Sequence, residues 1–159
     1  MAIIPLPDFK QKLAIVKYVY GVCKSLNIDK PKIAMIAATE QMLEGMPACV
    51  DAALIAKMND RGQLPGLIDG PLALDVAIDK ESAQIKKLNS QVAGDADALV
   101  FPNIESANVF YKVNTKLVGG GVQTATFVAG ATSPCVLSSR ADSIETKLNS
   151  IAISCLQVK

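Results

Sequence analysis

Ile33-Ala34-Met35-Ile36-Ala37-Ala38 is the stretch on which the fold turns: six apolar residues in a row, following the break at Asn27 to Lys32. A short run that is apolar at every position, rather than at alternate ones, predicts a strand buried on both faces, as in a parallel sheet covered by helices. The flanking segments agree. On the amino-terminal side, Phe9 to Leu26 carries Leu13, Val16, Val19, Tyr20, Cys23 and Leu26 at three- and four-residue steps, the period of an amphipathic helix. On the other side, Met46 to Met58 reads as a helix started at Pro47 and closed by Asn59 to Gln63, where Arg61 is a solvated helix-end residue.

Further along, Leu67-Ile68-Asp69 predicts a second strand leading through Gly70-Pro71 into a short helix from Leu72 to Ala77, with Ser82 to Leu88 also helical. Ala98-Leu99-Val100-Phe101 predicts a third strand ended by Pro102-Asn103, and Ile104 to Leu117 has helical periodicity. Gly119-Gly120-Gly121 reads as a turn before the β-branched segment Val122 to Val128. Cys135-Val136-Leu137 reads as a short strand, and Asp142 to Leu156 as the closing helix. Strands alternating with helices predict an α/β fold with a doubly wound, mostly parallel sheet.

The composition narrows the function. The chain has 159 residues, half of them apolar, with 16 basic and 15 acidic side chains, which suits one domain-sized core and gives no basic excess for nucleic acid. No apolar run is long enough for a membrane span, and the amino-terminal residues lack the pattern of a signal peptide, so the cytoplasm is the expected compartment and no membrane partner is expected. Histidine is absent, which removes imidazole bases and His-containing metal sites. Cys23, Cys49, Cys135 and Cys155 read as reduced, buried thiols, Cys135 inside its apolar strand. Asp95 and Asp97 terminate a segment and make only a weak metal signal, so no metal is expected. No Gly-x-Gly-x-x-Gly or triphosphate-binding loop is present.

In doubly wound sheets, chemistry gathers in the loops at the carboxyl ends of strands. Asp69-Gly70-Pro71, Pro102-Asn103-Ile104-Glu105 and Ser138 to Ser143 are the polar candidates. Asp69 either caps the following helix or reaches a ligand. Asn103 reads as an N-cap, with Glu105 in the first helical turn. Asn108, Tyr111 and Lys112 follow on the same helix, where a polar face serves either an interface or a site. Arg140, one of two arginines, lies where a strand would feed a helix, a position suited to a phosphate. The alternative is that Ser139 and Asp142 cap the last helix while Arg140 is solvated.

Taken together, Asp69-Gly70-Pro71-Leu72-Ala73-Leu74-Asp75, Gly94-Asp95-Ala96-Asp97-Ala98-Leu99-Val100, Pro102-Asn103-Ile104-Glu105-Ser106-Ala107-Asn108, and Ser138-Ser139-Arg140-Ala141-Asp142-Ser143 with Lys147-Leu148-Asn149-Ser150 resemble the phosphate acetyl/butyryltransferase family, the butyryl branch more closely. The match corresponds to the carboxyl-terminal half of that architecture. The resemblance implies a three-layer doubly wound sheet of isocitrate/isopropylmalate dehydrogenase-like topology. It divides the chain into a distal α/β domain, residues 1–137, and a returning segment and helix, residues 138–159, that packs on a first domain. It implies acyl transfer between coenzyme A and inorganic phosphate, with no tightly bound cofactor and no covalent acyl-enzyme, in a homodimer.

By the same resemblance, Arg140 binds phosphate or acyl phosphate, and Ser139 orients the thiol. The acetyl-transferring members place an aspartate six residues after that arginine as base. Thr146 stands there in this chain, leaving Asp142 and Glu145 as nearby substitutes. Asp69, Gly70, Pro71, Asn103, Glu105 and Asn108 are the expected substrate-binding or supporting residues. Two other functions stay open: a non-catalytic structural or dimerisation domain, and a dehydrogenase-like domain, against which the lack of an acidic metal cluster counts.

Overall fold

The computed structural model describes residues 4–118 and 122–158, so the Gly119-Gly120-Gly121 turn lies outside the described residues. The chain forms two compact units, one running from Pro7 to Pro102 and the other joining the residues before Pro7 to the segment from Asn103 onward.

The Pro7–Pro102 unit contains α1 (Phe9–Ser25), β1 (Lys32–Ile36), α2 (Pro47–Asp60), β2 (Leu67–Leu72), α3 (Leu74–Ile78), α4 (Lys80–Ile85) and β3 (Ala98–Val100). Its three strands form a parallel sheet in the order β2-β1-β3, with Ile33 opposite Ile68 on one side and Ala98 on the other. The central strand explains the unbroken apolar run. Ile33 and Met35 point into a cluster with Val16 of α1 and Ala52 and Ile55 of α2, while Ala34 and Ile36 join Val76 and Ala77 of α3 and Ala83 of α4. Helices therefore bury both faces of β1, and every residue of the run must be apolar.

Local signals fix the helix ends. Asp8 and Gln11 form a reciprocal capping box at α1, each backbone N–H donating to the other's side chain at 2.8 Å. Pro47 occupies the first position of α2, where a missing N–H costs nothing. Between these helices, the Lys12 ammonium is buried against Asp51 at 2.6 Å.

The structure corrects the placement of Asp69-Gly70-Pro71. These residues lie within β2, not in a loop beyond it, and Gly70 and Pro71 are buried. The register slips here, because Ala34 faces Asp69 while Ile36 faces Leu72, so two residues of β2 bulge opposite Met35. As β2 is an edge strand of this sheet, the absent proline N–H is tolerated. The following helix starts later than expected, with Ala73 as N-cap and no side-chain cap. Asp69 instead accepts the Gly70 N–H at 2.8 Å, so it does not cap the helix.

The other unit holds α5 (Ile104–Lys116) and α6 (Ile144–Cys155). Asn103 caps α5 by accepting the Ser106 N–H at 2.9 Å. Ser143, not Ser139 or Asp142, caps α6, accepting the Thr146 N–H at 3.1 Å. Cys135-Val136-Leu137 is not a strand: only an isolated antiparallel bridge links Cys135 to Val128. Side chains satisfy this backbone in place of a ladder, since the Ser150 hydroxyl accepts the Thr126 N–H at 2.8 Å and the Thr126 hydroxyl donates to Leu137 O at 2.9 Å. Cys23 and Cys49 are buried as expected, whereas Cys135 and Cys155 are exposed, because neither lies on a covered strand or on the packed face of its helix. Among the described residues, no helix is long and apolar enough to cross a membrane, and no group of three or more Cys, Asp or Glu side chains could hold a metal ion.

Candidate functional site

Three polar candidates of the Asn103-onward unit, Asn108, Ser139 and Asp142, line one concavity. Ile104, Ala107, Asn108, Tyr111 and Lys112 come from one face of α5, at the spacing of successive helical turns. Thr126, Leu137, Ser139 and Asp142 supply the opposite wall of a small cleft of about 120 Å³. That is smaller than the roughly 300–1,000 Å³ of a complete small-molecule site, although its mostly apolar wall with a few polar groups is of the kind such sites have.

Ser139 to Asp142 forms a tight turn. The Asp142 N–H donates to Ser139 O at 3.1 Å, and the Ser139 N–H donates back to Asp142 Oδ2 at 2.7 Å. The second carboxylate oxygen, Oδ1, accepts the Tyr111 hydroxyl at 3.1 Å. Burial pushes the Tyr111 phenol above its usual pKa, and its bond to the Asp142 carboxylate adds to the rise, while the nearby Thr124 hydroxyl acts the other way. The Lys112 ammonium lies 4.9 Å from the centre of the Tyr111 ring, a cation–π distance. Lys116 reaches the same turn, donating to Ala141 O at 3.3 Å.

Arg140 projects from the turn into solvent and makes no hydrogen bond or ion pair among the described residues. The guanidinium is thus free to take an anion, beside a hydroxyl at Ser139 and a carboxylate at Asp142. Among the described residues, Ser139 Oγ makes one long contact, accepting the Ala141 N–H at 3.4 Å, and its own proton is available. Chemically, the turn offers a cation for a phosphate, a hydroxyl to orient a nucleophile and a carboxylate to receive a proton.

Of the residues singled out in the sequence, Ser139, Asp142 and Asn108 line the concavity together. Asn103 and Glu105 stand at the start of α5, Asn103 capping it and Glu105 exposed in its first turn. Asp69, Gly70 and Pro71 belong to the Pro7–Pro102 unit. Tyr111 is the contributor that the motif reading undervalued. The signal was present as Asn108, Tyr111 and Lys112 at i, i+3 and i+4, but its partner Asp142 is 31 residues away. At Thr146, the side chain is buried in a chain of hydroxyls, 3.0 Å from both Ser143 Oγ and Thr124 Oγ1.

The Pro7–Pro102 unit has its own charged cluster beyond the carboxyl ends of β1 and β2. Glu40 accepts from Lys86 at 3.0 Å and from the Ala73 N–H at 3.3 Å, and Asp75 lies 3.4 Å from Lys86. Hydrogen bonding to Glu40 raises the Lys86 pKa, with Asp75 assisting. No short motif joins positions 40, 75 and 86, so sequence reading had no handle on this cluster.

The family model described as phosphate acetyl/butaryl transferase matches residues 1–155. The chain is 45% identical over 154 residues to the phosphate butyryltransferase of Clostridium acetobutylicum, a match covering 94% of this chain and 50% of that protein. It is 41% identical over 149 residues to the phosphate acetyltransferase of Thermotoga maritima, covering 93% of this chain and 50% of the relative. Among solved structures, a branched-chain phosphotransacylase from Enterococcus faecalis superposes with a TM-score of 0.81 at 31% identity, covering 98% of this chain and 55% of that one. The chain spans about half the length of the curated relatives it matches.

Proposed function

This chain belongs to the phosphate acetyl/butaryl transferase family, and on that premise we propose that it is the carboxyl-terminal part of an enzyme moving an acyl group, butyryl or acetyl, between coenzyme A and inorganic phosphate. The observation that carries the reading is the Ser139–Asp142 turn, which sets a hydroxyl and a carboxylate in the wall of one concavity and carries the exposed Arg140 between them.

Toward acyl-coenzyme A, the chemistry proceeds in two steps. The coenzyme A thiol is held by the Ser139 hydroxyl and gives its proton to Asp142. The sulfur then bonds to the carbonyl carbon of the acyl phosphate, and an electron pair moves onto the carbonyl oxygen. As that pair returns, the bond to the phosphate oxygen breaks, Arg140 stabilises the charge on the departing phosphate, and the proton held by Asp142 passes to that phosphate, restoring the carboxylate. Asn108 and Lys112 line the space beside the reacting atoms, and Asn103 and Glu105 fix the start of α5 that carries them. Within Asp69-Gly70-Pro71, half-buried Asp69 is assigned to substrate, with buried Gly70 and Pro71 supporting its strand. Coenzyme A and phosphate or acyl phosphate are substrates here, and no resident cofactor is assigned.

For the longer enzyme we assign the three-layer, doubly wound sheet of isocitrate/isopropylmalate dehydrogenase-like topology. The parallel sheet with helices over both faces supports it. Residues 1–137 form the distal domain, and residues 138–159 return to a first domain supplied by the other half. Support comes from α6, which leaves Ile144, Leu148 and Ile151 exposed at 78%, 62% and 54%. A cytoplasmic homodimer is proposed, supported by the exposed stripe Val109, Val113 and Leu117 on α5.

The test is thiol release from an acyl-coenzyme A series in phosphate, using this chain with a separately produced amino-terminal half of a related enzyme. Release by the pair is expected, and Arg140→Ala should lower kcat/KM by about 10²–10³-fold. An unchanged Arg140→Ala rate would remove Arg140 from the mechanism. The exposed α5 stripe favours one alternative, a non-catalytic dimerisation domain. No release from a folded, associated pair, together with stable self-association of this chain, would establish it.

A further inference from the structure

Asp142 is held from two sides, and the two holds differ. The Ser139 N–H comes from the same turn and follows from the local backbone. The Tyr111 hydroxyl comes from α5, across the concavity, and needs its own support to stay there. That support is visible. The Tyr111 phenol is partly buried, its ring lies under the Lys112 ammonium, and its oxygen neighbours Thr124. Thr124 Oγ1 is 3.0 Å from Thr146 Oγ1, which is 3.0 Å from Ser143 Oγ, the N-cap of α6. Hydroxyls thus link Ser143, Thr146 and Thr124, and Thr124 neighbours the Tyr111 oxygen that bonds to Asp142.

The geometry points to Tyr111 as a positioning residue: through its hydroxyl, backed by Thr124 and Thr146, it fixes the Asp142 carboxylate beside Ser139 in the orientation that receives the thiol proton. This rests on the assignment of Asp142 as proton acceptor in the proposed acyl transfer. A carboxylate with Oδ2 bound to the Ser139 N–H alone can rotate about that contact. With Oδ1 tied to Tyr111 as well, the carboxyl plane is set and its remaining lone pairs face a fixed direction. Thr146 takes part through its hydroxyl and carries no charge, so these hydroxyls orient the acid and do not replace it.

Two measurements test this. In the first, the amide proton of Ser139, donated to a carboxylate oxygen at 2.7 Å, is followed by NMR in the 159-residue chain. It should move upfield in Tyr111→Phe, which keeps the ring beneath Lys112 and removes only the hydroxyl, and by less in Thr124→Val. In the second, the same variants are paired with the amino-terminal half of a related enzyme and assayed for thiol release. Tyr111→Phe should lower kcat by about ten- to a hundredfold, the worth of a hydrogen bond to a charged group, with KM unchanged, and Thr124→Ser should restore what Thr124→Val loses. An unmoved Ser139 resonance overturns the positioning role whether or not the pair is active, as does an unchanged kcat in an active pair. A Ser139 shift of the expected kind beside an inactive wild-type pair overturns the acyl-transfer assignment on which the role depends.

Discussion

Gly70→Ala is expected to destabilise the Pro7–Pro102 unit by overfilling the contact between β2 and its neighbours. A Cβ built at this position would lie 2.6 Å from Met35 Cβ, 2.8 Å from Met35 O and 3.2 Å from Ala52 Cβ. Carbon atoms in contact prefer about 3.5–4.0 Å, so the new methyl must be displaced by roughly 1 Å from the Met35 side. Neither obstacle is a flexible side-chain tip: one is the first side-chain atom and the other the carbonyl of the central strand, packed between two helical layers. Overpacking of this kind costs about 1–3 kcal/mol, and the backbone contact places this case at about 2–3 kcal/mol. For a chain of this size that lowers Tm by about 5–10 °C. The assay is thermal unfolding followed by far-UV circular dichroism, with urea titration as a second reading of stability. Met35→Ala makes a useful companion, because it keeps both obstructing atoms and therefore cannot rescue Gly70→Ala. A Tm within about 1 °C of the parent, or rescue by Met35→Ala, would show that this glycine is not required by the close approach of β1.

Asp51→Asn leaves the buried Lys12 ammonium without its carboxylate and should cost about 3 kcal/mol, read as a lower urea midpoint at unchanged slope. Asp79, the N-cap of α4, has its pKa lowered from 3.8 by hydrogen bonds from Ser82; its ionised form therefore stabilises the fold above about pH 3.8, and that share is lost as pH falls through the lowered value. Asp79→Asn retains a capping oxygen but should flatten this acid limb in pH-dependent unfolding. Leu148→Glu, on the exposed side of α6, should change the stability of this chain alone by less than about 0.5 kcal/mol while weakening its association with an amino-terminal half, measured by titration calorimetry; a large loss of stability in the isolated chain would mean that Leu148 is packed within it.

The sequence exposed the Pro7–Pro102 unit well because its signals are local. The apolar run at Ile33 to Ile36 and Pro47 at the start of α2 each specify their element from within a few residues. It misplaced Asp69-Gly70-Pro71 because glycine and proline mark a bulge in an edge strand as readily as a turn, and only the slip opposite Met35 distinguishes the two. In the Asn103-onward unit the decisive contacts are long-range and polar. Nothing near Val122 to Val128 or Cys135 to Leu137 says that side chains of Thr126 and Ser150 will satisfy their backbone in place of neighbouring strands. The same limit applied to the site: Ser139, Arg140 and Asp142 were conspicuous as a motif, whereas the pairing of Asp142 with Tyr111 depends on how α5 lies against the turn.

Helix α6 shows this limit in its sharpest form, since its periodicity was legible and its phase was not. Ile144, Leu148 and Ile151 would ordinarily mark the buried face, yet Thr146, Ser150 and Ser154 are the residues covered. Ser150 earns its place through two hydrogen bonds, donating to Thr146 O at 2.6 Å and accepting the Thr126 N–H at 2.8 Å. Ser154 Oγ, also buried, finds no partner among the described residues. Hydrogen bonds of this kind contribute about 1 kcal/mol each, while every large aliphatic side chain left in water forgoes about 1.5–3 kcal/mol of burial. Within this chain alone the inverted face is therefore the weaker arrangement. It becomes the stronger one where a second surface covers Ile144, Leu148 and Ile151, and the hydroxyl face is then free to serve the site, linking Ser143 and Thr146 to Thr124, beside the Tyr111 oxygen that bonds to Asp142.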